Sequence, residues 1–122
     1  SSPDAAKSSL SVLCGFNSGK RIAVLADMLE LGDFSRQAHF ELGEYAAKAG
    51  VDQLVTIGKQ ARAIAEGALS VRPGMDCKIC ETNRQASSFL LAILKPGDIV
   101  LVKGSRGMKT DEIVQQLVDR YN

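Results

Sequence analysis

Asp98-Ile99-Val100-Leu101-Val102-Lys103-Gly104-Ser105-Arg106-Gly107-Met108-Lys109-Thr110-Asp111 is the stretch from which the fold is read. It reads as a strand, a glycine-flanked basic loop and the start of a last helix. Ile99 to Val102 is an unbroken apolar, β-branched run, as in a parallel strand covered on both faces. Gly104 and Gly107 allow a sharp turn and a close backbone approach. Lys103, Ser105, Arg106 and Lys109 place positive charge and a hydroxyl at that turn. The N–H groups opening the next helix would point the same way. The spacing therefore predicts an anion-binding corner at the carboxyl end of a strand, where open α/β sheets take ligands. The competing reading is a plain strand–helix connection whose basic side chains face water.

Outward from this stretch, strand and helix patterns alternate. Pro3 follows Ser2 as in a capped helix start, and Ala6, Leu10, Leu13 and Cys14 recur at helical spacing. Arg21–Ala26 is a short buried run, ended by Asp27. A helix is predicted from about Ser35 to Lys48, then a strand from Gln53 to Ile57 and a helix from Lys59 to Leu69. Met75–Cys80 is a weaker strand suited to an edge. Thr82-Asn83-Arg84-Gln85 has capping-box spacing and opens a helix through Leu94. Thr110–Tyr121 closes the chain as a helix. The order argues an α/β, Rossmann-like three-layer domain with a mostly parallel sheet, right-handed crossovers and strand order 3-2-1-4. That order sets the first and fourth strands side by side, so Asp27 and the Lys103–Arg106 loop would share one crevice.

The 122 residues suit one domain with one real core. The net charge of +1 gives no global pull toward nucleic acid, so any basic site is local. No apolar run approaches the roughly 20 residues of a membrane span, and no secretory signal pattern opens the sequence. Cys77 and Cys80 have redox-motif spacing, but three residues apart on a strand they point to opposite faces. With Cys14 they read as apolar positions in a reducing cytosol, and no metal site is expected from them and His39.

Six residues are singled out for chemistry. Asp27 can accept from ribose hydroxyls, help position a cation, or pair with Lys103 or Arg106. Lys103 and Arg106 offer a point charge and a rigid fork for carboxylate or phosphate, and Ser105 can donate from hydroxyl and backbone. Glu30 lies further along the loop after Asp27. His39, the only histidine, is placed near the crevice mouth, in a positioning or surface role, with general-base work as the alternative. Lys59, Arg62 and Arg72 are read as solvated. Neither a Walker A loop nor a Gly-x-Gly-x-x-Gly turn occurs. A receiver-like signalling domain is excluded because the third strand ends in Cys80-Glu81, not a phosphorylatable aspartate.

Arg21-Ile22-Ala23-Val24-Leu25-Ala26-Asp27-Met28-Leu29-Glu30-Leu31-Gly32, His39 with Leu42-Gly43, Val51-Asp52 and Val102-Lys103-Gly104-Ser105-Arg106-Gly107-Met108 together resemble the carboxy-terminal domain of the Mur ligases. The likeness covers nearly the whole chain and is nearest the branch that uses D-alanyl-D-alanine. It implies that residues 1–122 are the last of three domains in a cytoplasmic, ATP-dependent ligase of peptidoglycan synthesis. In such an enzyme ATP phosphorylates a UDP-N-acetylmuramoyl tripeptide, and the dipeptide amine attacks the acyl phosphate. The amino-terminal and central domains are the implied partners in cis. ATP and Mg2+ are held mainly by the central domain, which this sequence does not contain. Carried over by position, Asp27 touches the nucleotide, while Lys103, Ser105 and Arg106 face dipeptide, phosphate or the closed interface. The sequence departs from the family at Ala26, where glycine is expected, and at Ser1-Ser2, which replaces an asparagine-rich opening. The chain alone is expected neither to hydrolyse ATP nor to ligate. The alternative is a stand-alone mononucleotide- or anion-binding module.

Overall fold

The computed structural model describes residues 2–17 and 19–121; the reading at Ser1 lies outside them. Five α-helices and four strands alternate: α1 (Pro3–Cys14), β1 (Arg21–Ala26), α2 (Ser35–Ala49), β2 (Gln53–Ile57), α3 (Arg62–Val71), β3 (Asp76–Cys80), α4 (Asn83–Ile93), β4 (Ile99–Lys103) and α5 (Asp111–Tyr121). All strand pairings are parallel, and the order is β3-β2-β1-β4. The expected topology holds. No helix of the described residues is long and apolar enough to cross a membrane.

Side-chain alternation along the central strands divides the core in two. Ala23, Leu25 and Leu54 pack under α1, α2 and α3, together with Leu10, Leu42 and Ile64. Ile22, Val24, Val55 and Ile57 pack on the other face under α4 and α5, with Leu90 and Ile113. Cys77 joins the first cluster and Cys80 the second, so the two thiols do diverge. All three cysteines are free, and burial raises each thiol above its ordinary pKa.

Local chemistry sets the helix ends. Ser2 accepts at its hydroxyl from the Ala5 N–H at 3.2 Å. Thr82 and Gln85 form the reciprocal capping box that their spacing predicts. Helices α2 and α3 cross at near backbone contact. A Cβ on Gly43 would fall 1.8 Å from the Ile64 carbonyl oxygen, and one on Gly67 would fall 1.9 Å from that of Phe40.

Several expectations are corrected. β4 is covered on both faces as its composition suggested, with Ile99 and Leu101 toward one cluster and Val100 and Val102 toward the other, but it is only half-buried because it forms a sheet edge. Helix α3 starts at Arg62, since Lys59 to Ala61 turn first, and the third strand starts at Asp76. After β4 the chain makes a 3-10 turn, Arg106–Met108, and Lys109 takes a left-handed conformation (φ 52°) before α5 begins. Gly104 and Gly107 supply space, because neither has a positive φ. A Cβ on Gly104 would meet the Ala26 Cβ at 2.8 Å.

Candidate functional site

The loops that follow β1 and β4 meet at the carboxyl edge of the sheet. Because the two strands are neighbours, the Ser105 N–H donates to the Asp27 carbonyl at 3.2 Å, and the Leu29 N–H donates to Ser105 Oγ at 2.7 Å. The convergence expected from topology is therefore built, and Ser105, 9% exposed, is its bolt. Its hydroxyl turns into the protein and takes up a loop amide.

The acid at the end of β1 does not confront the cations. Asp27 is 8% exposed, and its Oδ1 accepts from the Ala61 N–H at 2.7 Å, where α3 begins. The carboxylate thus closes a helix N-terminus in trans, which suits both an unpaired amide and the positive end of the helix dipole. Gly58 completes the arrangement. Its φ is +111°, and a Cβ there would lie 2.4 Å from Asp27 Oδ1. Among the described residues no ion pair joins Asp27 to Lys103 or Arg106.

Lys103 is half-buried and Arg106 exposed, and neither belongs to an ion pair among the described residues. The corner keeps its positive charge, but α5 does not add its own N–H groups to it. The 3-10 turn uses the N–H groups of Met108 and Lys109, which donate to Ser105 and Arg106 carbonyls, and Asp111 and Glu112 occupy the first turn of α5.

His39 is not at a crevice mouth. It is fully buried under the loop after β1. Its Nε2 lies 2.9 Å from the Met28 N, an obligate donor, so Nε2 accepts. Nδ1 therefore carries the proton and donates to the Ser35 carbonyl at 2.6 Å. This fixes the neutral tautomer and leaves no free ring nitrogen for general-base work.

A groove of about 770 Å³ opens between the loops after β1 and β2. Glu30 and Asp33 line one wall, Lys59 and Arg62 the other. Ser35 Oγ hydrogen-bonds Gln60 Oε1 across its floor. Arg36 pairs with Glu66 at 3.0 Å and Arg62 with Glu81 at 3.1 Å, so among the described residues Lys59 is the groove cation outside an ion pair. Glu30 holds a left-handed φ of 66°, which costs a non-glycine residue about 1 kcal/mol and sets the direction of its side chain. Lys59 and Arg62, solvated by the sequence reading, line this groove instead. The available signal was Lys59's place just beyond a strand's carboxyl end, the same signal used for Lys103. Arg72, also read as solvated, donates to the Ala47 and Val51 carbonyls at 3.0 Å each.

A chain with this topology and these two loops has clear relatives. The profile of the Mur ligase, glutamate ligase domain family matches residues 1–106. The chain belongs to that family. It is 38% identical over 109 residues to the UDP-N-acetylmuramoyl-tripeptide–D-alanyl-D-alanine ligase of Bacillus subtilis, covering 83% of this chain and 22% of that enzyme. A crystal structure of MurF from Acinetobacter baumannii superposes with a TM-score of 0.85 at 30% identity, over 98% of this chain and 26% of that one. The MurF ligase of Thermotoga maritima in complex with ADP gives 0.77 at 26% identity, over 98% of this chain and 27% of that one. The chain thus spans about a quarter or less of the length of these Mur ligase relatives. Among the described residues no three His, Cys, Asp or Glu side chains converge as metal ligands do.

Proposed function

We propose that this chain is the closing domain of a three-domain, ATP-dependent ligase that adds D-alanyl-D-alanine to a UDP-N-acetylmuramoyl tripeptide in peptidoglycan synthesis. The observation that carries the reading is the pair of adjacent surfaces at the carboxyl end of the sheet: a basic corner and, beside it, a groove lined by both signs of charge. On this reading, Lys103 and Arg106 meet the phosphate of ATP or of the acyl phosphate when the domain closes on a central ATPase domain. Fixed cations there favour charge that develops during phosphoryl and acyl transfer, because they need no reorientation at the moment of reaction. The groove suits a zwitterion. Lys59 attracts the carboxylate of the incoming dipeptide, and Glu30 and Asp33 face its ammonium end. Asp27 contributes by holding the start of α3, which shapes the Lys59 wall, and contacts the nucleotide through the edge it leaves open. On this reading ATP and Mg2+ are held mainly by the central domain.

On this reading the P-loop and the UDP-sugar site lie on other domains, so the chain is half of a cleft. Calorimetric titration of ATP into the 122-residue chain should show no saturable binding tighter than about 1 mM, and no phosphate release. In a ligase carrying this domain, Lys103→Ala should lower kcat/KM about tenfold or more with little change in thermal stability, since a lost charge-assisted contact is worth about 1.5–3 kcal/mol. Tight ATP binding by the isolated chain, lost with Lys103→Ala, would favour a stand-alone nucleotide-binding module.

A further inference from the structure

Met28 and Leu29 are the first two residues beyond Asp27. Their backbone N–H groups point away from the sheet ladder, and each is taken by a side chain from a different element. His39 of α2 takes the first at 2.9 Å, and Ser105 of the loop after β4 takes the second at 2.7 Å. Both acceptors are buried, His39 completely. The histidine is itself oriented by the Ser35 carbonyl at 2.6 Å. Ser35 Oγ lies 3.3 Å from the same ring nitrogen and reaches Gln60 across the groove floor. A continuous run of hydrogen bonds therefore extends from Gln60 on one wall of the groove, through Ser35 and His39, to the Met28–Leu29 backbone and on to Ser105 in the basic corner. Gly107 seals the far side, where a Cβ would come 3.1 Å from Leu29 Cδ1.

We propose that His39 and Ser105 are positioning residues that clamp the Met28–Leu29 backbone, so that the acidic wall of the groove and the basic corner keep one fixed relative position. Neither side chain needs to touch a ligand. Two neighbouring amides held by partners from separate elements cannot shift unless both bonds break, so the two surfaces move as one plate. A single clamp would leave the loop free to pivot about the remaining bond. The clamp stands on the geometry alone; its effect on turnover rests on the closing-domain reading.

Amide hydrogen exchange on the 122-residue chain tests it. Ser105→Ala and His39→Leu should each speed exchange at Met28 and Leu29 about tenfold, as expected for loss of one buried hydrogen bond. The core amides of Val24 and Val55 should keep their rates. His39→Gln, whose amide oxygen can accept the Met28 N–H, should restore slow exchange. Unchanged rates at Met28 and Leu29 would overturn the clamp. So would an equal rise at Val24 and Val55, or a glutamine variant as fast as the leucine one. Should His39→Leu fail to fold, Ser105→Ala, which deletes one oxygen, decides the matter by itself. In a ligase carrying the domain, the same variants should raise KM for the amine several-fold more than they lower kcat. Faster exchange with untouched kinetics would confirm the clamp and sink the closing-domain reading.

Discussion

The centre of this sheet and its β4 edge support their helices very differently. At the centre, β1 and β2 are buried along nearly their whole length, and α2 and α3 approach until glycine hydrogens touch carbonyl oxygens. At the β4 edge, β4 is half-buried at every residue, and α5 commits only Ile113 to full burial. Val114, Val118 and Tyr121 of α5 stay 46%, 43% and 61% exposed. The groove stands on the tight half and the basic corner on the loose half. A tight support holds a shape; a loose one tolerates displacement. The loop after β1 straddles the two, so the hydrogen bonds that cross it matter more than their number suggests.

The contrast breaks first where packing is closest. Gly43→Ala should be the most damaging single change, costing about 3 kcal/mol or more, because the new methyl meets a backbone oxygen that cannot move aside. Thermal or urea unfolding of the variant measures this. A loss below about 1 kcal/mol would mean that α2 and α3 can slide apart, and the tight half would not be tight.

Next comes the brace beneath the groove. Asp27→Ala strips the Ala61 N–H of its acceptor and should cost about 2 kcal/mol, in the range for an unsatisfied buried donor. Asp27→Asn keeps an oxygen at that position and should cost less than half as much. The same unfolding curves separate the two variants. Equal losses would mean that the charge, not the hydrogen bond, holds the start of α3.

What could be read from sequence follows the same division. Strand order was legible because β-branched runs alternating with helical spacing leave few chain paths, and the capping residues Ser2 and Thr82 announce their helices by local chemistry. The directions of side chains at the site were not legible. Nothing local tells whether Asp27 turns toward Lys103 or toward Ala61, since each lies far away in the chain and both are within reach of a strand end. The answer depends on Gly58 giving the carboxylate room. His39 misleads for a similar reason: a polar residue early in a helix suggests exposure, and only the unpaired Met28 amide beneath it explains its burial. The groove was missed because its walls come from two loops whose charged residues, taken singly, look like ordinary solvated ones.

The smallest effect is the most informative about the loose half. Val118 lies on the outer stripe of α5, beside Leu117, Val100 and Leu94, in a shallow apolar depression of about 690 Å³. Val118→Lys removes a methyl pair that is 43% exposed and replaces it with a better helix former that can lay its stem along the same surface. The two changes oppose each other, so the chain's stability should move by no more than about 0.5 kcal/mol. An unfolding midpoint within a few degrees of the parent supports that account. A loss of about 2 kcal/mol would instead place Val118 in a working core, and the half that carries the basic corner would then be as firmly built as the half that carries the groove.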